Sequence, residues 1–218
     1  MRELQPGLWH WQAPHPDWTP DERWPREVSS YAIDDGTRLL LIDPLAVPDE
    51  LLDLAGQREP AIVLTAPWHE RDTRSLVERL GARVFTPPPD SAQDFIDKFG
   101  ITAEQAGDGS PDLAWLRSGN AEVTWLAAGD RLPIGIEAFI GREHNDLELW
   151  IESRRALVFG DTLVDFGRGF GLNEWLKGDV PHAEVVARLR PLLDLPIELV
   201  LPAHGAPTDR TALERILS

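Results

Sequence analysis

Four short segments of this sequence each follow an apolar run and carry a histidine or an aspartate. The segments span residues 65–72, 141–146, 160–163 and 201–205. Side chains of these two types can bind a divalent metal ion or transfer a proton. In mixed α/β folds, functional groups collect on loops beyond the carboxyl ends of the strands. The spacing therefore predicts that the four segments meet at one site.

The elements that must position these segments alternate between short strands and helices. Apolar runs predict strands at 28–33, 38–43, 61–65, 82–85, 121–126, 136–140, 147–151, 156–159 and 198–201. Helical spacing of the apolar residues predicts helices at 48–55, 72–80, 182–193 and 210–217. Because the strands form two groups, each with its own helices, the pattern predicts an α/β (α+β) sandwich of two sheets with helices outside.

Composition narrows the classes of function. The chain of 218 residues has 21 basic and 37 acidic side chains, a net charge of −16, which disfavours a nucleic-acid partner. The absence of cysteine excludes thiolate zinc sites, disulfides and a cysteine nucleophile. No apolar run approaches the roughly 20 residues that span a bilayer, so no membrane role is expected. We expect a soluble, cytoplasmic protein with one domain over residues 1–218.

Four sequence motifs carry a resemblance to a known family. They are the strand end LLLIDP at 39–44, IVLT at 62–65, FGDTLV at 159–164 and LPAHG at 201–205. In order and spacing the sequence resembles the metallo-β-lactamase fold superfamily over most of its length. That resemblance implies a four-layer αββα sandwich. It also implies a zinc- or iron-dependent hydrolase, which is what most members are.

The metal-binding motif of that family is degenerate in this sequence. After the strand the family has Thr-His-x-His-x-Asp-His, whereas this chain reads Thr65-Ala-Pro-Trp-His-Glu-Arg71. The positions of the four family ligands are therefore held by Ala66, Trp68, Glu70 and Arg71. Alanine and tryptophan cannot bind a metal ion, and arginine adds a positive charge where the ion would lie.

Farther along the chain, two of three family positions are intact. Aligning the segment that follows Gly141 places Arg142 at the next histidine position. Asp161, which corresponds to the metal-bridging carboxylate, and His204, which corresponds to the last histidine, are present. A standard dinuclear centre is therefore not expected, and the cofactor is either absent or a single zinc or iron ion.

Two hypotheses for the site remain open. In the favoured one, Arg71 and Arg142 replace the charge of the metal and pair with Glu70 and Asp161, since a buried carboxylate needs a partner cation. Trp68 and these polar side chains would then bind a ligand. In the other, His69 takes over a ligand position and forms a mononuclear site with Asp161 and His204, assisted by Glu70, Asp72 or His144.

Each hypothesis implies a different function. Without a metal, the protein would bind a small molecule or a partner protein at the former metal site. With one metal, it would hydrolyse an ester, a thioester or a lactone. A third interpretation is an oligomerisation module. It rests only on the tryptophan-rich N-terminal region, with Trp9, Trp11, Trp18 and Trp24, and leaves a homo-oligomer open.

The nine tryptophans, among them the four near the N-terminus and Trp68 in the presumed pocket loop, allow two interpretations. They could fill the core, or they could form the walls of a pocket. His10 and His15, in the Pro/Trp-rich N-terminal region, are predicted to be surface residues. The glycine-rich segment 165–172 is predicted to be a loop over the pocket, in which Phe166 and Phe170 form either part of a lid or plain surface.

Overall fold

The first β-sheet has seven strands in the order of the chain. A computed structural model describes residues 1–117, 119, 121–132, 135–174 and 180–218. The strands are β1 (Arg2–Gln5), β2 (Leu8–Pro14), β3 (Glu27–Asp34), β4 (Arg38–Ile42), β5 (Glu59–Val63), β6 (Arg83–Thr86) and β7 (Val123–Trp125). Strands β1 to β4 pair antiparallel, and β4 to β7 pair parallel.

In the part of the chain that the structure describes, the second sheet has six strands in the order β15-β14-β11-β10-β9-β8. Their bounds are β8 (Arg131–Leu132), β9 (Ile136–Ile140), β10 (Leu147–Ile151), β11 (Ala156–Phe159), β14 (Leu199–Pro202) and β15 (Thr208–Asp209). Among the described residues of this sheet, β11 and β14 pair parallel and the other neighbouring strands pair antiparallel. A separate two-stranded hairpin consists of β12 (Leu163–Val164) and β13 (Gly171–Leu172).

Seven α-helices accompany the sheets within the described residues. They are α1 (Asp49–Ala55), α2 (Thr73–Leu80), α3 (Ala92–Phe99), α4 (Ala103–Ala106), α5 (Ala114–Arg117), α6 (His182–Leu189) and α7 (Arg210–Leu217). Short 3-10 helices lie at Pro67–His69, Glu152–Arg154 and Arg190–Asp194. None of the helices that the structure describes is long and apolar enough to cross a membrane.

Alternation along the central strands creates the layers. In β4, Leu40 and Ile42 face the core between the two sheets, whereas Leu39 and Leu41 face a second core. Successive side chains of a strand point to opposite faces, so a wholly apolar strand is buried on both sides. The second core packs the first sheet against α1, α2 and α5, and a third core packs the other sheet against α6 and α7. The predicted four-layer αββα sandwich is confirmed.

Candidate active site

The carboxyl ends of four strands from both sheets meet at one edge of the sandwich. Asp43 follows β4, Thr65 follows β5, Asp161 follows β11 and His204 follows β14. Main-chain hydrogen bonds tie the sheets together here, from the Leu147 amide to the Thr65 carbonyl at 2.8 Å and from the Ser29 amide to the Ala203 carbonyl at 2.8 Å. Parallel pairing of β4 with β5 and of β11 with β14 places their ends at the same edge.

Two histidines face one oxygen of Asp161. The Nε2 atom of His69 lies 3.4 Å from Asp161 Oδ1, and the Nε2 atom of His204 lies 3.3 Å from the same oxygen. The three side chains offer ligand atoms that all lie within 4.8 Å of one another. His69 and His204 are both buried. The structure thus brings together the three residues of the mononuclear hypothesis.

Asp43 fixes the orientation of His69. Asp43 is buried, and its Oδ2 atom lies 3.1 Å from His69 Nδ1. The same carboxylate accepts hydrogen bonds from the Thr65 main-chain N–H at 2.9 Å and from the Thr65 hydroxyl at 2.6 Å. Held by Asp43 on its Nδ1 side, the imidazole ring directs Nε2 toward Asp161. A carboxylate behind a histidine is a common outer partner of a metal ligand.

The other oxygen of Asp161 is held by Trp68. The indole N–H of Trp68 donates to Asp161 Oδ2 at 2.8 Å. Trp68 and His69 are successive residues of the 3-10 helix Pro67–His69. Trp68 contacts Oδ2 of Asp161, and His69 contacts Oδ1. Asp161 is therefore oriented with Oδ1 toward the histidines.

Neighbouring charges decide which of these groups carry a proton. Burial opposes the charged form of His69, but the carboxylates of Asp43 and Asp161 outweigh it and raise the pKa of His69 to about 9. Burial of Asp161 acts against ionisation, yet His69 and His204 hold its pKa well below the usual range. Burial lowers the pKa of His204, which Asp161 only partly offsets.

Two buried atoms of the site, one from His69 and one from Asp161, indicate that it can hold a cation. His69 Nε2 and Asp161 Oδ1 are buried and make no well-formed hydrogen bond in the part of the chain that the structure describes. Buried polar atoms normally have a partner, so atoms left without one in a cleft point to a missing ligand or ion. Two imidazoles and one carboxylate are a donor set that suits zinc or iron. The residues present fit one metal ion.

The predicted pairing of arginines with the site carboxylates is wrong. The Arg71 guanidinium donates to the main-chain carbonyls of Ser29 at 2.7 Å and Asp43 at 2.6 Å. The ion pairs of Asp161 within the described residues come from His69 and His204 instead. Arg71 has a positive φ of 44°, and its guanidinium is held by these two carbonyls, with no ion pair to Asp161 among the described residues.

Arg142 and Glu70 also bind elsewhere. Arg142 is buried and donates from Nη1 to the Asn173 carbonyl at 2.7 Å. Glu70 accepts from the Trp115 indole at 2.6 Å and from the Leu113 amide at 3.2 Å, and so holds the segment around α5. Both residues support loops next to the site.

The two other residues proposed as assistants lie outside the group of three. Asp72 accepts a hydrogen bond from the Ala46 amide at 2.6 Å. His144 lies beside Asp90 and Asp94, at 3.8 and 4.0 Å. The Lys98 ammonium contacts both Asp90 oxygens at 2.9 Å, so that second acidic group already has a cation.

Both N-terminal histidines predicted at the surface are partly or fully buried. His10 stacks on Tyr31 with ring centroids 5.1 Å apart and contacts the Ser29 hydroxyl at 3.0 Å. Its burial lowers its pKa to about 4. His15 lies against Trp24 and lines the pocket over the site. The tight pairing of β2 with β3 buries this region, a contact that the local sequence does not reveal.

An aromatic pocket opens above the three residues. It has a volume of about 230 Å³. Its lining residues are His15, Trp24, Val28, Trp68, His69, Arg71, Asp161, Phe166, Asn173 and His204. Phe166 thus belongs to the pocket, whereas Phe170 packs on Phe159 in the third core.

Comparison with solved structures identifies the fold. An archaeal metallo-β-lactamase superfamily protein from Sulfolobus tokodaii is 16% identical, with a TM-score of 0.66, covering 97% of this chain and 84% of that one. BLEG-1, a B3 metallo-β-lactamase, is 17% identical with a TM-score of 0.58, covering 95% of this chain and 97% of that one. The chain has the metallo-β-lactamase fold.

A further structure with this likeness contains metal. TTHA1623 in a di-iron-bound form is 27% identical with a TM-score of 0.57, covering 88% of this chain and 94% of that one. No protein-family model matches the sequence, and no curated protein matches it. The similarity to these solved structures establishes the metallo-β-lactamase fold. The reaction is inferred from the geometry of the site.

Sequence reasoning missed Asp43 and Trp24 as parts of the site. The sequence carries a signal for Asp43, which directly follows a buried strand and precedes a proline, just as Thr65 lies at the end of the next strand. Trp24 was considered only as one of several tryptophans that could fill the core or line a pocket, because the loop between β2 and β3 reaches the pocket only through the tertiary fold.

Proposed function

We propose that the protein is a hydrolase that uses a single zinc or iron ion held by His69, Asp161 and His204. The observation that carries the proposal is the convergence of two imidazole nitrogens on one carboxylate oxygen, at 3.3 and 3.4 Å. Three protein ligands with an open position are the usual arrangement of a catalytic zinc site. The substrate class is an ester, a thioester or a lactone.

The reaction adds one water molecule to the carbonyl carbon and breaks its bond to the leaving oxygen or sulfur. The products are a carboxylic acid and an alcohol or thiol; a lactone gives one hydroxy acid. When bound, the ion supplies a water of lowered pKa and polarises the carbonyl oxygen. Asp43 keeps Nε2 of His69 aimed inward, Trp68 keeps Asp161 in position, and the aromatic walls keep bulk water away from the reacting groups.

Metal content tests the proposal directly. Protein purified without chelators and then dialysed against zinc or iron(II) should hold one ion per chain, measured by elemental analysis. Substitution of cobalt(II) should give a visible spectrum typical of four- or five-coordinate nitrogen and oxygen ligands. His69→Ala should abolish the bound ion and the spectrum, whereas His182→Ala, which removes an exposed histidine at the start of α6, should leave both unchanged.

A second candidate function is metal-free binding of a small molecule. It is favoured by the ion-pair distances of His69 and His204 from Asp161, because a protonated imidazole could neutralise that carboxylate in place of a metal. Wild-type protein that holds no ion after loading, and whose spectrum does not differ from that of His69→Ala, would favour this candidate over the hydrolase.

A further inference from the structure

The pocket is lined by both polar and aromatic side chains. Its polar lining residues are His69, Asp161 and His204, which we call its floor, together with Arg71, His15 and Asn173. Its walls come from the loop between β2 and β3, which supplies Trp24, and from the loop between β12 and β13, which supplies Phe166. A ligand that fills this space must therefore join an apolar group to a polar reacting group.

The two wall residues pack on the same histidine. The Trp24 ring meets the His204 ring edge-on with centroids 5.5 Å apart, at an interplanar angle of 70°. Phe166 meets His204 in the same way at 5.4 Å and 88°. Aromatic rings prefer such edge-to-face contacts, which leave ring faces available to a planar guest. His204 is thus held in place from both loops and shielded from solvent.

Hydrogen bonds fix both loops in these positions. The Trp18 indole donates to the Trp24 carbonyl at 2.8 Å, and the Trp24 indole donates to Glu22 at 2.9 Å. In the other loop, the Asp165 amide donates to the His204 carbonyl at 2.9 Å, and the Asp165 carboxylate accepts from the amides of Gly167 and Gly169. A preformed wall of this kind selects its ligand by size and shape.

The volume sets the size of the guest. A dry cavity of ~150 Å³ binds benzene, and sites for drug-sized ligands start at roughly 300 Å³. The 230 Å³ of this pocket lies between these values and suits one six-membered ring with a short substituent. A straight chain of eight carbons would have to fold or protrude through the opening.

We propose that the pocket selects an acyl group that carries one small, planar, apolar ring, of about the size of phenylacetyl, with the carbonyl directed at the floor formed by His69, Asp161 and His204. This inference deepens the proposed function and rests on it for the reaction, but the size and aromatic character of the pocket can be tested without hydrolysis. Trp24 and Phe166 are its specificity-determining residues.

One arm of the test measures hydrolysis. Metal-loaded protein should hydrolyse methyl phenylacetate with a kcat/KM at least tenfold above that for methyl acetate and for methyl octanoate, followed by acid release at constant pH. Trp24→Ala and Phe166→Ala should each reduce that preference by several-fold to about tenfold, the range of one aromatic contact. Trp125→Ala, a change of the same kind at an exposed residue outside the pocket, should leave the preference unchanged.

The other arm measures binding in the absence of metal. Uncharged phenylacetamide should bind the chelator-treated full chain in a calorimeter, more tightly than octanamide, and Trp24→Ala and Phe166→Ala should weaken it. Phenylacetamide binding without any hydrolysis supports the pocket assignment and counts against the hydrolase. Hydrolysis with equal preference for the three esters, or with methyl octanoate preferred, overturns the pocket assignment and leaves the hydrolase standing. Failure of phenylacetamide to bind the folded protein also overturns it.

Discussion

At the scale of single residues, the site depends on the different partners of the two carboxylate oxygens of Asp161. Oδ1 faces His69 and His204, whereas Oδ2 accepts the indole N–H of Trp68. A tryptophan stands where the resemblance implies a histidine ligand, and it orients the carboxylate instead of binding metal.

Trp68→Phe should weaken binding of the ion without removing the site. The ring is kept, but the hydrogen bond to Asp161 Oδ2 is lost, so the carboxylate is free to rotate. Loss of an outer partner of a metal ligand costs about 10–100-fold in affinity. Competition of cobalt(II) with a chelator of known affinity measures the change, and Trp125→Phe is the matched control. An unchanged affinity in Trp68→Phe would mean that the indole does not position Asp161.

Glu148 is a buried acid close to the site. The side chain is fully buried, and neither of its oxygens forms a hydrogen bond within the described residues. Burial raises the pKa of Glu148 well above its usual range, and the neighbouring Asp146 raises it further. The folded protein therefore holds a proton on Glu148 at a pH at which the unfolded chain has released it.

In Glu148→Gln, the free energy of unfolding should decrease less steeply with rising pH than in the wild type. Above the ordinary value of 4.5, the native state binds one proton more than the unfolded state at this residue, so the free energy of unfolding decreases as pH rises. For one proton the slope is about 1.4 kcal/mol per pH unit, and the substitution should remove up to that amount between pH 5 and 6. Urea unfolding at a series of pH values gives the slope. Glu104→Gln, at an exposed helix position, serves as the control, and equal slopes in wild type and Glu148→Gln would contradict the prediction.

At the scale of elements, the turns that follow the strands determine the site. His204 and Gly205 form such a turn after β14, and Gly205 has a φ of 106°. A Cβ atom at Gly205 would lie 2.6 Å from Cβ of Asp165, which belongs to the loop that carries Phe166. Because the two backbones approach closely, the turn that carries the candidate metal ligand His204 is coupled to the loop that carries Phe166.

Gly205→Ala should destabilise the protein more than Gly36→Ala. Both glycines have positive φ, which costs an alanine ~1–2 kcal/mol, but a Cβ atom at Gly36 would meet nothing within 4 Å. The contact with Asp165 should add roughly 1–3 kcal/mol at Gly205, the usual cost of overpacking. Urea unfolding of the two variants isolates this difference. Equal losses would show that the Asp165 loop moves away freely.

Elements with strong periodicity were predictable from sequence, and those defined by tertiary contacts were not. The run at 38–43 predicted β4 because each of its apolar residues fills one of two cores. Strand β2 was missed, since the N-terminal region was described only by its prolines and tryptophans and no element was predicted before residue 28. Helix α3 was missed although Ser91 and Asp94 form a capping box; the helix is short and none of its residues is buried.

The residues of the candidate site also differ in whether the sequence predicts them. Asp161, His204 and His69 could be selected because each lies just beyond an apolar strand. The direction in which Arg71 turns could not be predicted, since it follows from a positive φ and from carbonyls that belong to β3 and the end of β4. The charge argument assigned the cation near Asp161 to an arginine. The structure instead places His69 there, 3.4 Å from Asp161 Oδ1, and the carboxylates of Asp43 and Asp161 raise its pKa to about 9.

At the scale of the whole molecule, the site joins the two sheets of the sandwich. His69 lies on the segment after β5 in the first sheet, whereas Asp161 and His204 follow β11 and β14 in the second. An ion bound by all three residues therefore links both halves of the fold. It binds the folded chain but not an unfolded chain in which these residues are far apart, so binding must stabilise the fold.

Removing the ion should lower the melting temperature. At a free ion concentration of 100 times the dissociation constant, the gain in unfolding free energy is about 2.7 kcal/mol, which for a chain of this length corresponds to roughly 5–10 °C. Thermal unfolding of chelator-treated protein, with and without added zinc or iron(II), gives the shift. His69→Ala should show no increase, because two ligands from the second sheet alone no longer link the sheets. His182→Ala should show the full increase. An equal rise in His69→Ala would place the bound ion elsewhere on this acidic protein, and the proposed single-ion centre would be wrong.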